Sequence, residues 1–153
     1  MQSKVLMVCL GNICRSPLAE GILQQKLDPS KIQVASAGTA GYHVGNPPDP
    51  RSIAVALQNG IDIRSQRCAK FSTADFATYD RIYAMDHSNY KNIVHLSSTD
   101  AERNKVRLLL DVLADGPEEV PDPYYDSEEG FEKVFHLIQD ACTIIAAELS
   151  AQN

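Results

Sequence analysis

With 153 residues the chain fits one domain, long enough to bury roughly 68–70% of the surface its unfolded form would expose. A formal net charge of −6 argues against nucleic acid as a partner, since gripping a phosphate backbone takes a basic face. No apolar run reaches the ~20 residues that span a bilayer, and no small-residue cleavage site follows the N-terminal apolar stretch, so membrane insertion and a signal peptide are not expected.

The first element is a strand. Lys4 to Cys9, "KVLMVC", is a continuous apolar run of the kind covered on both faces. Ser16-Pro17 then offers a helix start, with Ser16 as N-cap and Pro17 in the first turn, and Leu18, Ile22 and Leu27 recur at helical spacing. A second strand, Ile32 to Ala37, empties into the Gly/Pro-rich loop "GTAGYHVGNPPDP". "RSIAVALQNG" predicts a helix closed by Gly60, and "STADF" from Ser72 a short helical turn. "RIYAM" predicts a third strand, Ser88 to Val94 a helix, and "VRLLLDV" near Val106 a fourth strand. After the loop "ADGPEEVPDPYYDSEEG" the last helix starts near Ser127, with an apolar stripe of Phe131, Val134, Phe135, Ile138, Cys142, Ile145 and Leu149. Strands alternating with helices predict a single-domain α/β fold, residues 1–153, with a mostly parallel four-stranded sheet covered on both faces. The loops after strands one, two and four then share the carboxyl rim of the sheet, where such folds bind ligands.

The first of these loops, "CLGNICRS", carries the chemistry. Gly11 and Asn12 tolerate left-handed backbone, so successive N–H groups can face one concavity. The following helix contributes the positive end of its dipole, and Arg15 a planar fork of donors. A cradle of that kind takes a tetrahedral oxyanion and favours the thiolate of a cysteine at its base, where Cys9 sits. A thiolate beneath a phosphoryl group is a nucleophile in line for transfer. Nucleotide-binding glycine patterns are missing, and no second Cys or His pair completes a metal site with Cys9 and Cys14. No metal or other cofactor is expected.

The spacing Cys9-x5-Arg15-Ser16, with Asn12, Pro17, "SAGT" and "DPYY", resembles the low-molecular-weight protein tyrosine phosphatases, and the resemblance runs from the first strand to the last helix. It implies phosphotyrosine hydrolysis through a cysteinyl-phosphate: Cys9 attacks phosphorus, Arg15 clamps the equatorial oxygens, and Ser16 assists departure of the thiolate. Leu10, Gly11, Asn12, Ile13, Cys14 and Arg15 line the phosphate site, while a left-handed Asn12 and Ser36 support the loop. Asp122 of "PDPYYD" is implied as general acid and then base. Its chemistry suits the step, since a phenolate leaving group needs a proton and a second step an activated water. Ile13, Tyr42 and Tyr124 match substrate-lining positions, with Tyr125 read as a surface tyrosine. Cys14 is implied as a reversible redox partner of Cys9, which makes the enzyme redox-sensitive.

Cys68 and Cys142 read as structural, the four histidines show no ligand or triad spacing, and Asp86 in "MDHSN" is expected to order loops rather than to react. The expected substrates are phosphotyrosine proteins or peptides and small aryl phosphates, in a cytoplasmic, reduced setting. A cognate tyrosine kinase is a partner consistent with the resemblance, and a monomer is expected. Two other readings stay open: a thioredoxin-coupled arsenate reductase, against which the wide separation of Cys68 and Cys142 and the presence of "DPYY" count, and a catalytically silent phosphotyrosine-binding module, against which the retained Cys9, Arg15 and Asp122 count.

Overall fold

The computed structural model describes residues 3–152; Met1, Gln2 and Asn153, at the ends of the expected domain, lie outside them. Four parallel strands, β1 (Ser3–Cys9), β2 (Ile32–Gly38), β3 (Arg81–Ala84) and β4 (Val106–Leu108), form a sheet of order β2-β1-β3-β4. Alternate residues of β1 serve different cores. Val5, Met7 and Cys9 join one cluster, Leu6 and Val8 the other, and in β3 Tyr83 is separated from Ile82 and Ala84 in the same way. That double burial explains the unbroken apolar run of β1.

On one face lie α1 (Arg15–Gln25), α2 (Pro50–Gln58) and α6 (Glu128–Gln152); on the other, α3 (Asp75–Thr78) and α4 (His87–His95). A further turn of helix, α5 (Asp100–Arg103), precedes β4, capped by Thr99, whose side chain accepts from the Glu102 N–H. By length and composition alone α6 is long and apolar enough to cross a bilayer. Its apolar stripe, Phe131 to Leu149, is instead buried in the core, so the apolarity is used in packing.

Three expectations need correction. Ser16 does not cap α1: Cys14 occupies the N-cap position without a side-chain cap, and the Ser16 hydroxyl lies 3.0 Å from Cys9 Sγ. The local cap signal loses to a tertiary demand. Left-handed backbone occurs at Asn12 (φ 58°) but not at Gly11. The "VRLLLDV" strand stops at Leu108 and continues as a 3-10 turn, Leu109–Val112, because Leu109 and Leu110 turn down into the core against α6.

The sheet grows from β1 outward in both directions, so the connection after β1 lies at the topological switch, where the crevice of an open α/β sheet forms. Two hydrogen bonds extend that edge. The Met85 N–H donates to Val8 O (3.1 Å) and the Val120 N–H to Met85 O (2.8 Å), which ties the segment leading to Asp122 to the strand that ends in Cys9.

Candidate active site

The loop from Cys9 to Arg15 has its carbonyls turned outward and anchored. Cys9 O and Leu10 O accept from the N–H groups of Thr39 and Ala40 (both 2.9 Å), and Ile13 O accepts from the Asp49 N–H (2.8 Å). Asn12 O accepts from the Cys68 thiol (2.8 Å), and Cys14 O from the Ser52 hydroxyl (3.4 Å). By contrast, the backbone N–H groups of residues 10–14 have no acceptor among the described residues. Donors therefore remain free on the inner side of the loop, as an oxyanion cradle needs. Gly38 permits the close approach on which this depends, since a Cβ there would stand 2.7 Å from Leu10 O.

Asn12 locks the loop. Its amide nitrogen donates to Ser16 Oγ (2.8 Å) and Ser36 Oγ (2.9 Å), and its amide oxygen accepts from the Ala69 N–H (2.9 Å). Ser36 in turn donates to Glu20 (2.7 Å), whose pKa burial raises despite that bond. With an amide N–H already directed at Ser16 Oγ, the hydroxyl proton is left for the Cys9 sulfur or for Ala37 O, 3.5 Å away. The nearer sulfur is the better acceptor once it is a thiolate.

Arg15 is fixed from behind. Its Nη1 donates to Asp86 Oδ2 (2.7 Å) and Val120 O (3.0 Å), and its Nη2 lies 3.7 Å from Asp122 Oδ2, with the guanidinium side chain only 3% exposed. Burial would lower its pKa, but Cys9, Asp86 and Asp122 together outweigh that and raise it. The Asp122 Oδ1 accepts from the Tyr124 N–H (3.1 Å), which ties the carboxyl group to the backbone of the turn that carries the tyrosine. Burial, with Asp49, Cys9 and Asp122 close by, pushes the Cys14 thiol up to about 12.

Above the loop opens a cleft of about 340 Å³, bounded by Cys9, Ile13, Arg15, Tyr42, Asp122 and Tyr124. Such a space suits an aryl ring standing on a phosphate. Among the described residues no group of three or more His, Cys, Asp or Glu side chains is placed to hold a metal ion.

Over residues 4–153 the sequence matches the family described as low molecular weight phosphotyrosine protein phosphatase. The chain belongs to that family. It is therefore a hydrolase, a low-molecular-weight protein tyrosine phosphatase. Relatives of that name include one from Schizosaccharomyces pombe, 41% identical over 134 residues (84% of this chain, 85% of the relative), and one from Homo sapiens, 36% identical over 144 residues (90% of each). The fold superimposes on a crystal structure of a protein tyrosine phosphatase from Entamoeba histolytica with a TM-score of 0.92 at 34% identity, covering 99% of both chains.

The phosphatase loop brings together most of the residues singled out in the sequence. Cys9, Ile13, Cys14, Arg15, Tyr42, Asp122 and Tyr124 all line the cleft, and Asn12, Ser16 and Ser36 form one hydrogen-bonded network beneath it. Tyr42 is 77% exposed and stands at the rim rather than in a wall. Tyr125, 94% exposed, is a surface tyrosine as expected, yet it also borders the cleft, edge-on to Tyr124.

Four contributors were not foreseen in these roles. His43 covers Gly11 and borders the cleft. Glu20 ends the Asn12 network, Cys68 holds Asn12 O, and Asp86 anchors Arg15 while its other oxygen caps α4 at the Asn89 N–H (2.7 Å). Cys142 is fully buried against α1, its Sγ 4.0 Å from Ala19 O.

Proposed function

We propose that the enzyme hydrolyses phosphotyrosine in proteins or peptides, and small aryl phosphates, by double displacement at Cys9. In the first step Cys9 Sγ attacks phosphorus, the P–O bond to the aryl group breaks, and Asp122 passes its proton to the leaving phenolate oxygen. In the second, water attacks phosphorus while Asp122 takes its proton. The S–P bond then breaks and Ser16 donates to the departing thiolate. Arg15 and the free N–H groups of the loop hold the equatorial oxygens, whose charge develops through both steps.

The observation that carries this reading is the division of the loop, carbonyls tied back and N–H groups free around Cys9, with Arg15 and Asp122 facing the same space. Phosphate release from a phosphotyrosine peptide tests it. Wild type is expected to turn over and Cys9→Ser to stop. In kcat/KM, which reports only the steps up to release of the aryl alcohol, Asp122→Asn is expected to slow phenyl phosphate far more than p-nitrophenyl phosphate, whose leaving group needs no proton. An Asp122→Asn variant that lowers kcat/KM for both equally would refute the assigned acid.

The proposal extends to regulation and setting. A peroxide converts Cys9 to a sulfenic acid, and Cys14 displaces hydroxide from it to form a disulfide that a thiol reductant reopens. The placement of Cys9 and Cys14 in one loop, both bordering the same cleft, supports this. All four cysteines are free, which suits a reducing, cytoplasmic setting. One chain supplies every group named, consistent with a monomer, and a tyrosine kinase is the class of enzyme that must make the substrate.

A further inference from the structure

Arg51 takes no part in the double displacement, yet it touches both loops on which that chemistry depends. Its backbone N–H and its Nε both meet Asp49 Oδ1 (2.8 and 3.0 Å), and its Nη2 meets Asp49 Oδ2 (2.9 Å). The bidentate pair is charged on both sides: burial opposes ionisation of Asp49, but the bonds from Arg51 outweigh it and hold its pKa below the ordinary value. Asp49 caps α2 and, through its own N–H, holds Ile13 O of the phosphate loop. This end of the guanidinium is therefore tied to the cradle.

The other end is tied to the acid loop. Nη1 donates to Asp126 O (3.3 Å), and the guanidinium carbon lies 5.5 Å from the centre of the Tyr124 ring and 4.5 Å from that of Phe131 at the start of α6. The Asp126 N–H returns to Pro123 O (2.8 Å), and Tyr124 is bonded to Asp122, so residues 122–126 form one compact turn. Between that turn and the phosphate loop, Arg51 is a fork whose Nε and Nη2 hold Asp49 and whose Nη1 holds Asp126 O.

We infer that Arg51 is a positioning residue for the substrate slot: anchored to the phosphate loop through Asp49, it sets the distance and tilt of the Tyr124 wall and of the turn that carries Asp122. The inference rests on the phosphatase reading of the cleft. A lysine cannot replace the fork, because one ammonium cannot hold both carboxylate oxygens and also reach Asp126 O. The α2 cap survives the change, since the residue 51 N–H to Asp49 does not depend on the side chain.

The test measures KM for a phosphotyrosine peptide and Ki for inorganic phosphate in wild type, Arg51→Lys and Arg51→Gln, each with and without Tyr124→Leu. The account expects KM to rise about threefold to tenfold in both Arg51 variants, the range a guanidinium–ring contact supports, with phosphate Ki changed by less than about twofold. In the Tyr124→Leu background the same Arg51 changes are expected to raise KM by a smaller factor than in wild type, because the ring contact is gone and only the bond to Asp126 O remains. An unchanged KM, a phosphate Ki that weakens in step with KM, or full additivity with Tyr124→Leu would overturn the inference while leaving the phosphatase intact. Wild type inactive on the peptide would overturn both.

Discussion

Replacing Asp86 by alanine removes two bonds at once, one from each carboxylate oxygen. Oδ2 balances a guanidinium whose side chain is 3% exposed, and Oδ1 caps α4 at the Asn89 N–H. Breaking a fully buried ion pair costs about 3–5 kcal/mol, because the remaining charge is stranded. Here Asp86 is 21% exposed, and Arg15 keeps Val120 O at 3.0 Å and Asp122 at 3.7 Å, so the loss falls to about 2 kcal/mol. Loss of the cap adds about 1 kcal/mol. The sum, about 3 kcal/mol, is a shift of about 1.5 M in the urea midpoint at a slope near 2 kcal/mol per M. Asp86→Asn keeps one oxygen for either partner and is expected to lose about half as much, while kcat falls in both variants as Arg15 swings toward Asp122. Urea titrations at neutral pH, with kcat measured on the same preparations, decide the matter. An Asp86→Ala variant within about 0.5 kcal/mol of wild type would refute the assignment of Asp86 as the anchor of Arg15.

Asn12→Ala removes three side-chain hydrogen bonds and puts a Cβ-bearing residue without a local polar group at φ 58°, so a stability loss of about 3 kcal/mol and a collapse of kcat are expected by denaturation and kinetics. Glu20 has a raised pKa, so the folded state binds its proton more tightly than the unfolded chain does. Stability from this group is full below the ordinary value of 4.5 and is lost as pH rises through the raised one. Glu20→Gln should therefore flatten the stability profile above pH 4.5, and an unchanged pH profile in urea titrations would contradict this. With its thiol pushed up to about 12, Cys14 is expected to resist iodoacetamide in the native protein at neutral pH, as peptide mass mapping can check.

The phosphate loop was legible in the sequence because its chemistry is local. Nucleophile, clamp and helix start lie within eight consecutive positions, and the apolar run of β1 marks where they begin. Asp122 was legible only in company, since an aspartate before proline is ordinary turn chemistry. What was hidden is held by contacts remote in sequence. Asp86 is 71 positions from Arg15, and Cys68 is 56 from Asn12. The alternation of β1 between two cores cannot be told from a uniform apolar run, and neither can the point at which "VRLLLDV" leaves the sheet. Ser16 misled because serine before proline is a good cap in isolation, whereas the fold uses its hydroxyl on the cysteine. The Thr99-x-x-Glu102 spacing that caps α5 is local in sequence, and it bears on no part of the site.

The central claim is that Cys9 becomes covalently phosphorylated within the cradle. Rapid quenching of wild type with a radiolabelled aryl phosphate, followed by peptide mapping, measures this directly. The account predicts label on the peptide containing Cys9, formed in a burst with the first aryl alcohol released, and none in Cys9→Ser. Label on any other residue, or steady turnover by Cys9→Ser, would contradict it.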